Sequence, residues 1–222
     1  AAAELTPYQR RARLALSDNI TKCCQQAGGQ CFLLTLTVGS KNEGGMFTGV
    51  FQPKEVSRRW NSLRRHLFDW LDIKRAIVVP ERHKSGTWHL HVFIQCHDFR
   101  AVWSAKDWKK YKLGTSPKSS VGLKRAMFRQ LAKSHPQLAR KWSRLRSDLP
   151  LFGFGRHEFI PIRKANRAGN YLGKYLGKAS IKSANGKTTR VMTRYLGDWR
   201  KFADRSARGL TLPVGWSWHR IG

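Results

Sequence analysis

Phe32, Leu34, Leu36 and Val38 alternate with Leu33, Thr35 and Thr37, a period-two pattern that predicts a strand with one buried face. Gly39 and the run Lys41-Asn42-Glu43-Gly44-Gly45 supply its stop. From Pro53 the period changes: Val56, Trp60, Leu63, Leu67 and Trp70 recur at steps of four and three, which predicts an amphipathic helix entered through a first-turn proline. Arg58, Arg59, Arg64 and Arg65 lie largely off its apolar stripe. Residues 73–81 and 89–95 read as two further strands around a turn marked by Ser85 and Gly86, an antiparallel hairpin.

Residues 101–150 hold 13 Lys and Arg against Asp107 and Asp148, with Trp103, Trp108, Leu123, Phe128, Leu131 and Trp142 at helical spacings; the reading is a basic insertion of one or two helices between strands. Residues 155–162 predict another strand, 166–178 a helix and 189–196 a final short strand, while residues 1–30 form a basic lead-in that is helical from Pro7 to about Gln26. Strands and helices alternate without the rhythm of a doubly wound sheet, so the expectation is an α+β fold with a mainly antiparallel central sheet and flanking helices, in one domain over 1–222.

Charge changes the picture more than length does. With 43 Lys and Arg against 13 Asp and Glu the chain carries a formal +30, which excludes an ordinary neutral enzyme of small metabolites. Such an excess repels itself unless a polyanion offsets it. Nine Trp and eleven Phe rule out a disordered basic tail and, without an amphipathic membrane helix, favour nucleic acid over a membrane surface. No apolar run approaches a membrane span and no signal-peptide core is present, so an intracellular protein is expected. Cys23, Cys24, Cys31 and Cys96 form no CxxC pair, which argues against a zinc knuckle or disulfide scaffold.

Two segments carry candidate chemistry. In His89-Leu90-His91 the imidazoles share one strand face while Leu90, Val92 and Ile94 serve the other. If the hairpin turns about Ser85, residue 81 lies opposite residue 89, and Glu81 joins the two imidazoles on that face, with β carbons about 4.5–5.5 Å apart. Two histidines and a carboxylate suit Mg²⁺ or Mn²⁺ more than structural zinc. His83, and His97 with Asp98, are rival ligands, expected to be solvated or to contact DNA. The bland alternative is a wet strand face.

The second segment is Asn170-Tyr171-Leu172-Gly173-Lys174-Tyr175-Leu176-Gly177-Lys178. On a helix Tyr171 and Tyr175 are neighbours, with Lys174 and Lys178 beside them. A phenol attacks poorly at its ordinary pKa of about 10, so a cation or polarised electrophile nearby is a chemical requirement if it is a nucleophile. Gly173 and Gly177 would leave a bare surface for a nucleic-acid backbone. Taken alone, a Tyr/Leu packing face with solvated lysines explains the segment as well.

Taken together, a glutamate upstream of a strand bearing His-Leu-His, a basic helical insertion and then a doubled Tyr-Leu-Gly-Lys resemble the HUH endonuclease superfamily, in particular two-tyrosine rolling-circle replication initiators of small single-stranded DNA phages and related replicons. The resemblance spans roughly residues 31–196 and extends to the strand at Phe32 and the basic helix Arg58-Arg59-Trp60-Asn61-Ser62-Leu63-Arg64-Arg65. It implies metal-dependent nicking and joining of origin single-stranded DNA. Tyr171 and Tyr175 would attack and form a 5′-phosphotyrosine, Lys174 and Lys178 would stabilise charge, and Glu81, His89 and His91 would hold Mg²⁺ or Mn²⁺. Arg58, Arg59, Arg64, Arg65, Arg163, Lys164 and Arg167 would contact DNA. Gly186-Lys187-Thr188 ends like a phosphate-binding loop, but Ile181 stands where its first glycine is needed; with no helicase domain, strand separation and synthesis would fall to a host helicase and polymerase, in the bacterial cytoplasm for a phage or plasmid protein. The competing readings are a non-catalytic basic nucleic-acid-binding protein and an HUH transposase or relaxase.

Overall fold

The computed structural model describes residues 7–41, 47–49, 52–83, 86–175, 180–182, 188–190, 194–197 and 199. Helix α1 (Pro7–Ala27) leads into strand β1 (Cys31–Lys41), then β2 (Phe47–Gly49), α2 (Pro53–Leu71), β3 (Ile73–Arg82) and β4 (Trp88–Cys96). Helices α3 (Ala105–Thr115), α4 (Val121–Ser134) and α5 (Pro136–Asp148) follow, a 3-10 turn (Leu149–Phe152) leads to β5 (Phe154–Pro161), and then come α6 (Ala165–Gly173), β6 (Ser180–Lys182), β7 (Thr188–Arg190) and β8 (Arg194–Gly197). The chain is α+β with an antiparallel central sheet: five strands run β5-β1-β4-β3-β8, β2 pairs the far end of β1, and β6 and β7 pair with each other.

Each face of the sheet buries its own layer. Phe32, Leu34, Leu36 and Val38 of β1 meet Val56, Trp60, Leu63 and Leu67 of α2, with Leu138 and Leu145 of α5 in the same cluster. On the other face Ile77, Val79 and Phe93 meet Leu16, Ile20 and Cys23 of α1 and Ala168 and Leu172 of α6. Period-two alternation in the strands is what sends adjacent residues to opposite layers. A fully buried Leu such as Leu63 contributes about 1.5–3 kcal/mol through the water it sheds.

Helix α2 starts at Pro53 and stops at Asp72, whose left-handed backbone (φ 47°, ψ 58°) turns its N–H back to the carbonyls of Phe68 and Asp69. That stop aims β3 back under the helix. The basic insertion holds three helices rather than one or two. The Ser104–Asp107 capping box starts α3, Ser120 caps α4 at Leu123 N–H, and Pro136, which lacks the N–H a continuing helix needs, restarts the chain as α5. The expected single strand over 189–196 is two: β7 belongs to the small pair, and β8 pairs β3 at the edge of the main sheet. The helix expected over 166–178 ends at Gly173.

Candidate catalytic site

The floor of the site is a patch of the second face where the alternation brings polar residues into register. Glu81 pairs with His89 across β3 and β4, the register that a turn centred on residue 85 requires. His91 pairs with Thr35 of β1, and Thr35 with Glu158 of β5; Thr37 pairs with His89. Directly paired residues point to the same side, so Glu158, Thr35 and His91 form one row across three strands and Thr37, His89 and Glu81 the next. This face is not wet at its centre: His91 is 3% exposed.

Its walls come from the α6 segment. Tyr175 lies flat on His91, ring centroids 3.9 Å apart at 7°, and Tyr171 meets the same imidazole edge-on at 5.5 Å. The two phenol rings are 5.1 Å apart, and Lys174 Nζ stands 4.2 Å from the Tyr171 ring centre and 4.6 Å from that of Tyr175. Tyr175 and Lys174 are beyond the helix end, in the turn after Gly173, where the Tyr175 N–H donates to the Leu172 carbonyl at 3.1 Å. The expected pairing of the tyrosines on one helix is thus replaced by a helix-plus-turn arrangement that still brings them together. Lys178 and Gly177 lie outside the described residues. Gly173 is buried, and a Cβ there would strike Arg13 Cγ at 2.6 Å; it serves the packing of α6 on α1 and not an open surface for DNA. At Gly169 the fit is tighter, since a Cβ would meet the Ser17 backbone at 2.6 Å.

Glu81 pairs with His91 at 2.9 Å between Oε2 and Nε2, while His91 Nδ1 lies 3.4 Å from the Thr35 hydroxyl. Burial pushes the His91 pKa down, against the pull of Glu81, and it pushes His89 down too, helped by neighbouring His83. Both imidazoles are therefore biased to the neutral form that binds a metal. Burial also raises both phenols; the Tyr171 hydroxyl donates to that of Tyr175, which raises Tyr171 further and eases Tyr175 down. Among the two, Tyr175 is the easier to ionise.

Two neutral imidazoles and a carboxylate are the right donors for a divalent cation, and Glu81 and His91 are already in contact. The set is not closed as it stands. The ligand atoms of Glu81, His89 and His91 do not all come within 4.8 Å of one another; among the described residues the group that does is Asp72, His97 and Asp98, all exposed. His97, past the end of β4, pairs with Asp72 at 3.3 Å and Asp98 at 2.7 Å, and His83 lies with its ring 5.5 Å from that of His89.

The arginines divide. Arg163, Lys164 and Arg167 are exposed around the start of α6, on the helix that delivers Tyr171. Arg58, Arg59, Arg64 and Arg65 are on α2, across the sheet from the tyrosines. Arg59 is half-buried, its guanidinium donating to Glu55 at 2.6 Å and to the Gly153 carbonyl at 2.8 Å, and Arg58 donates to Glu55 at 2.8 Å. Those two hold the helix start and the entry to β5.

Sequence reasoning missed Glu158. It faces the site through Thr35, accepts a hydrogen bond from the Tyr111 hydroxyl, and contributes negative charge at Tyr171. The signal was present in β5, where Arg156 and Glu158 stand out of phase with Phe159 and Pro161.

A family profile described as replication-associated protein, of the ORF2 type, matches residues 31–180. The chain belongs to this family, a class of replication-associated proteins. It is also 29% identical over 176 residues to the phasyl DNA replicon protein arp of Escherichia coli, an alignment that covers 75% of this chain and 55% of that protein. The chain thus spans about half the length of this curated relative. No solved structure matches it with significance. No described helix is long and apolar enough to cross a membrane.

Proposed function

We propose that this chain initiates DNA replication by nicking and rejoining single-stranded origin DNA through a covalent tyrosine linkage. The observation that carries the reading is the stack of Tyr175 on His91 at 3.9 Å, with Tyr171 beside it and the Lys174 ammonium within 4.6 Å of both rings. Structural packing alone does not call for two phenols, a buried imidazole and a carboxylate in one pocket. Transfer of a phosphate ester uses all of them.

Tyr175 or Tyr171 attacks the scissile phosphorus. The phenol oxygen gives up its proton and forms the new P–O bond, the bond from phosphorus to the 3′ oxygen breaks, and the 3′ oxygen takes up a proton in exchange, leaving a free 3′ hydroxyl for a host polymerase. The 5′ phosphate stays on the tyrosine. Lys174 draws the phenol toward its anion and offsets charge that develops on the phosphate. Glu81, His89 and His91 would hold Mg²⁺ or Mn²⁺, which when bound supplies a Lewis acid for the non-bridging phosphate oxygens. The second tyrosine takes over the strand when the origin is regenerated, so one subunit can both cut and join. The surrounding Arg163, Lys164 and Arg167 bind the DNA backbone, and a host helicase provides the single strand. Family membership and the replicon relative support the replicative setting over a transposase or relaxase.

Incubating the protein with labelled single-stranded oligonucleotides and Mn²⁺, then separating the products by denaturing electrophoresis, tests this. The expected result is a protein–DNA adduct and a free 3′ end. Cleavage that never passes through an adduct would replace the tyrosine mechanism with water activation.

A further inference from the structure

At the end of the hairpin remote from Glu81 and His89, on the face opposite the tyrosines, the end of α2, residues 97–99 and α5 enclose a groove of about 460 Å³. Trp70, Phe99, Arg140 and Arg144 line it, with Asp72 and Asp98 also on its wall. Trp70 is half-buried against the core. The Arg144 guanidinium carbon lies 4.6 Å from its ring centre, and Lys141 Nζ lies 5.1 Å from that ring and 5.8 Å from the ring of Phe99. Arg140 and Arg144 are exposed on α5.

We propose that this groove is a second binding site for single-stranded DNA, in which Arg144 leaves the Trp70 ring for a flanking phosphate, Arg140 takes the next phosphate, and a nucleobase takes the ring face that Arg144 covers. Sites for single strands combine cations that follow the backbone with an aromatic ring that takes the face of a base, and both are here within one groove. In a duplex the base faces are hidden by stacking, so the groove selects the unpaired strand. Asp72 and Asp98 would repel a bare phosphate, which argues against a simple anion site. They suit the amino edge of a base, a donor that carboxylates accept.

The site lies well away from the tyrosines. The eight steps along β3 from Ile73 to Glu81 span about 27 Å at about 3.4 Å each. A strand that touches both must cover that length and also pass round the edge of the sheet, because the groove and the tyrosines are on opposite faces. Holding DNA at the groove raises its effective concentration at the nick. The inference rests on the reading that the chain acts on single-stranded DNA, and not on the tyrosine chemistry.

The test measures fluorescence anisotropy of labelled single-stranded and duplex oligonucleotides with wild type, Trp70→Leu and the pair Arg140→Gln with Arg144→Gln. Oligonucleotides long enough to reach both sites are compared with ones of about four nucleotides, which fill one site only. Both variants should weaken long single strands about fivefold or more, and duplex much less. The arginine pair should lower the salt slope by about 1.4. Nicking of short substrates should stay at the wild-type rate. Photocrosslinking of 5-iodouracil DNA to wild type should label Trp70 or Phe99, which decides the matter even if Trp70→Leu does not fold. Folded variants that bind long single strands like wild type, equal losses for duplex and single strand, or crosslinks that avoid both aromatics would overturn the proposal. Absence of nicking in every protein would count against the tyrosine reading and leave the binding comparison intact.

Discussion

Leu34, Leu36, Leu90 and Val92 and, one residue out of phase, Thr35, Thr37, His89 and His91 occupy the same two strands, yet they meet different neighbours. The first set is covered by α2 and the helical insertion and is buried in a continuous apolar layer. The second set looks toward α1 and α6, whose Leu16, Ile20 and Leu172 reach Phe93, Ile77 and Val79 but leave the turn end of the hairpin to polar residues. There the seal on His91 is made by Tyr171 and Tyr175. A helix layer that stops short of a sheet end leaves a pocket that stays dry while holding ionisable groups, and the phenols that close it are held against the imidazole they would work beside.

The most decisive way to break this contrast is to remove the phenol oxygens alone. Tyr171→Phe with Tyr175→Phe keeps both rings over His91, so the fold and DNA affinity should survive while the covalent adduct disappears on denaturing gels. Each single substitution should leave part of the nicking or joining activity. An adduct formed by the double variant would sink the tyrosine assignment.

Leu63→Ala attacks the other face. A fully buried leucine in the α2 layer should cost about 2–5 kcal/mol in denaturant melts, and the folded fraction should nick at the wild-type rate. His91→Ala should show the reverse balance. It removes the imidazole that pairs with Glu81 at 2.9 Å, costs about 1–3 kcal/mol, and removes nicking altogether while salt-dependent DNA binding persists. If His91→Ala and Leu63→Ala lost activity and stability in the same proportion, the two faces would not be functionally distinct.

The hairpin and its register were legible because a short turn couples positions four residues either side of its centre, and Glu81 opposite His89 follows from counting. Helix α2 was legible through its stripe, and the two cores through the period-two strands. What the pattern hid was non-local. Nothing near Glu158 in the chain says that β5 pairs with β1, and so nothing says that Glu158 shares a row with His91. Gly173 reads as a bare helix face until α1 is seen to fill it with Arg13. Tyr175 reads as helical because i and i+4 spacing suits a helix, whereas the turn after Gly173 delivers it to the same place. The arginines of α2 read as DNA contacts from charge alone, and there the overlooked partner was local: Arg58 and Arg59 pair with Glu55 one turn away.

That glutamate gives the smallest and most specific prediction, because it contrasts with Glu81. Glu81 is largely buried and pairs with the His91 imidazole, whereas Glu55 sits in the first turn of α2 and accepts from Arg58 at 2.8 Å and Arg59 at 2.6 Å. The hydrogen bonds from Arg58 and then Arg59 lower the Glu55 carboxyl from its ordinary 4.5 to about 2. A carboxyl depressed in the folded state stabilises the fold in full above its unfolded pKa and loses that contribution as pH falls through the folded value. The melting temperature of wild type should therefore exceed that of Glu55→Gln by a constant margin above about pH 5, and the margin should close as pH falls from 4.5 toward 2. Because the pair is surface-exposed, the margin should be small and should shrink with added salt. Paired thermal melts across that range check it, and a margin that persists at the acid end would show that Glu55 acts through packing instead of charge.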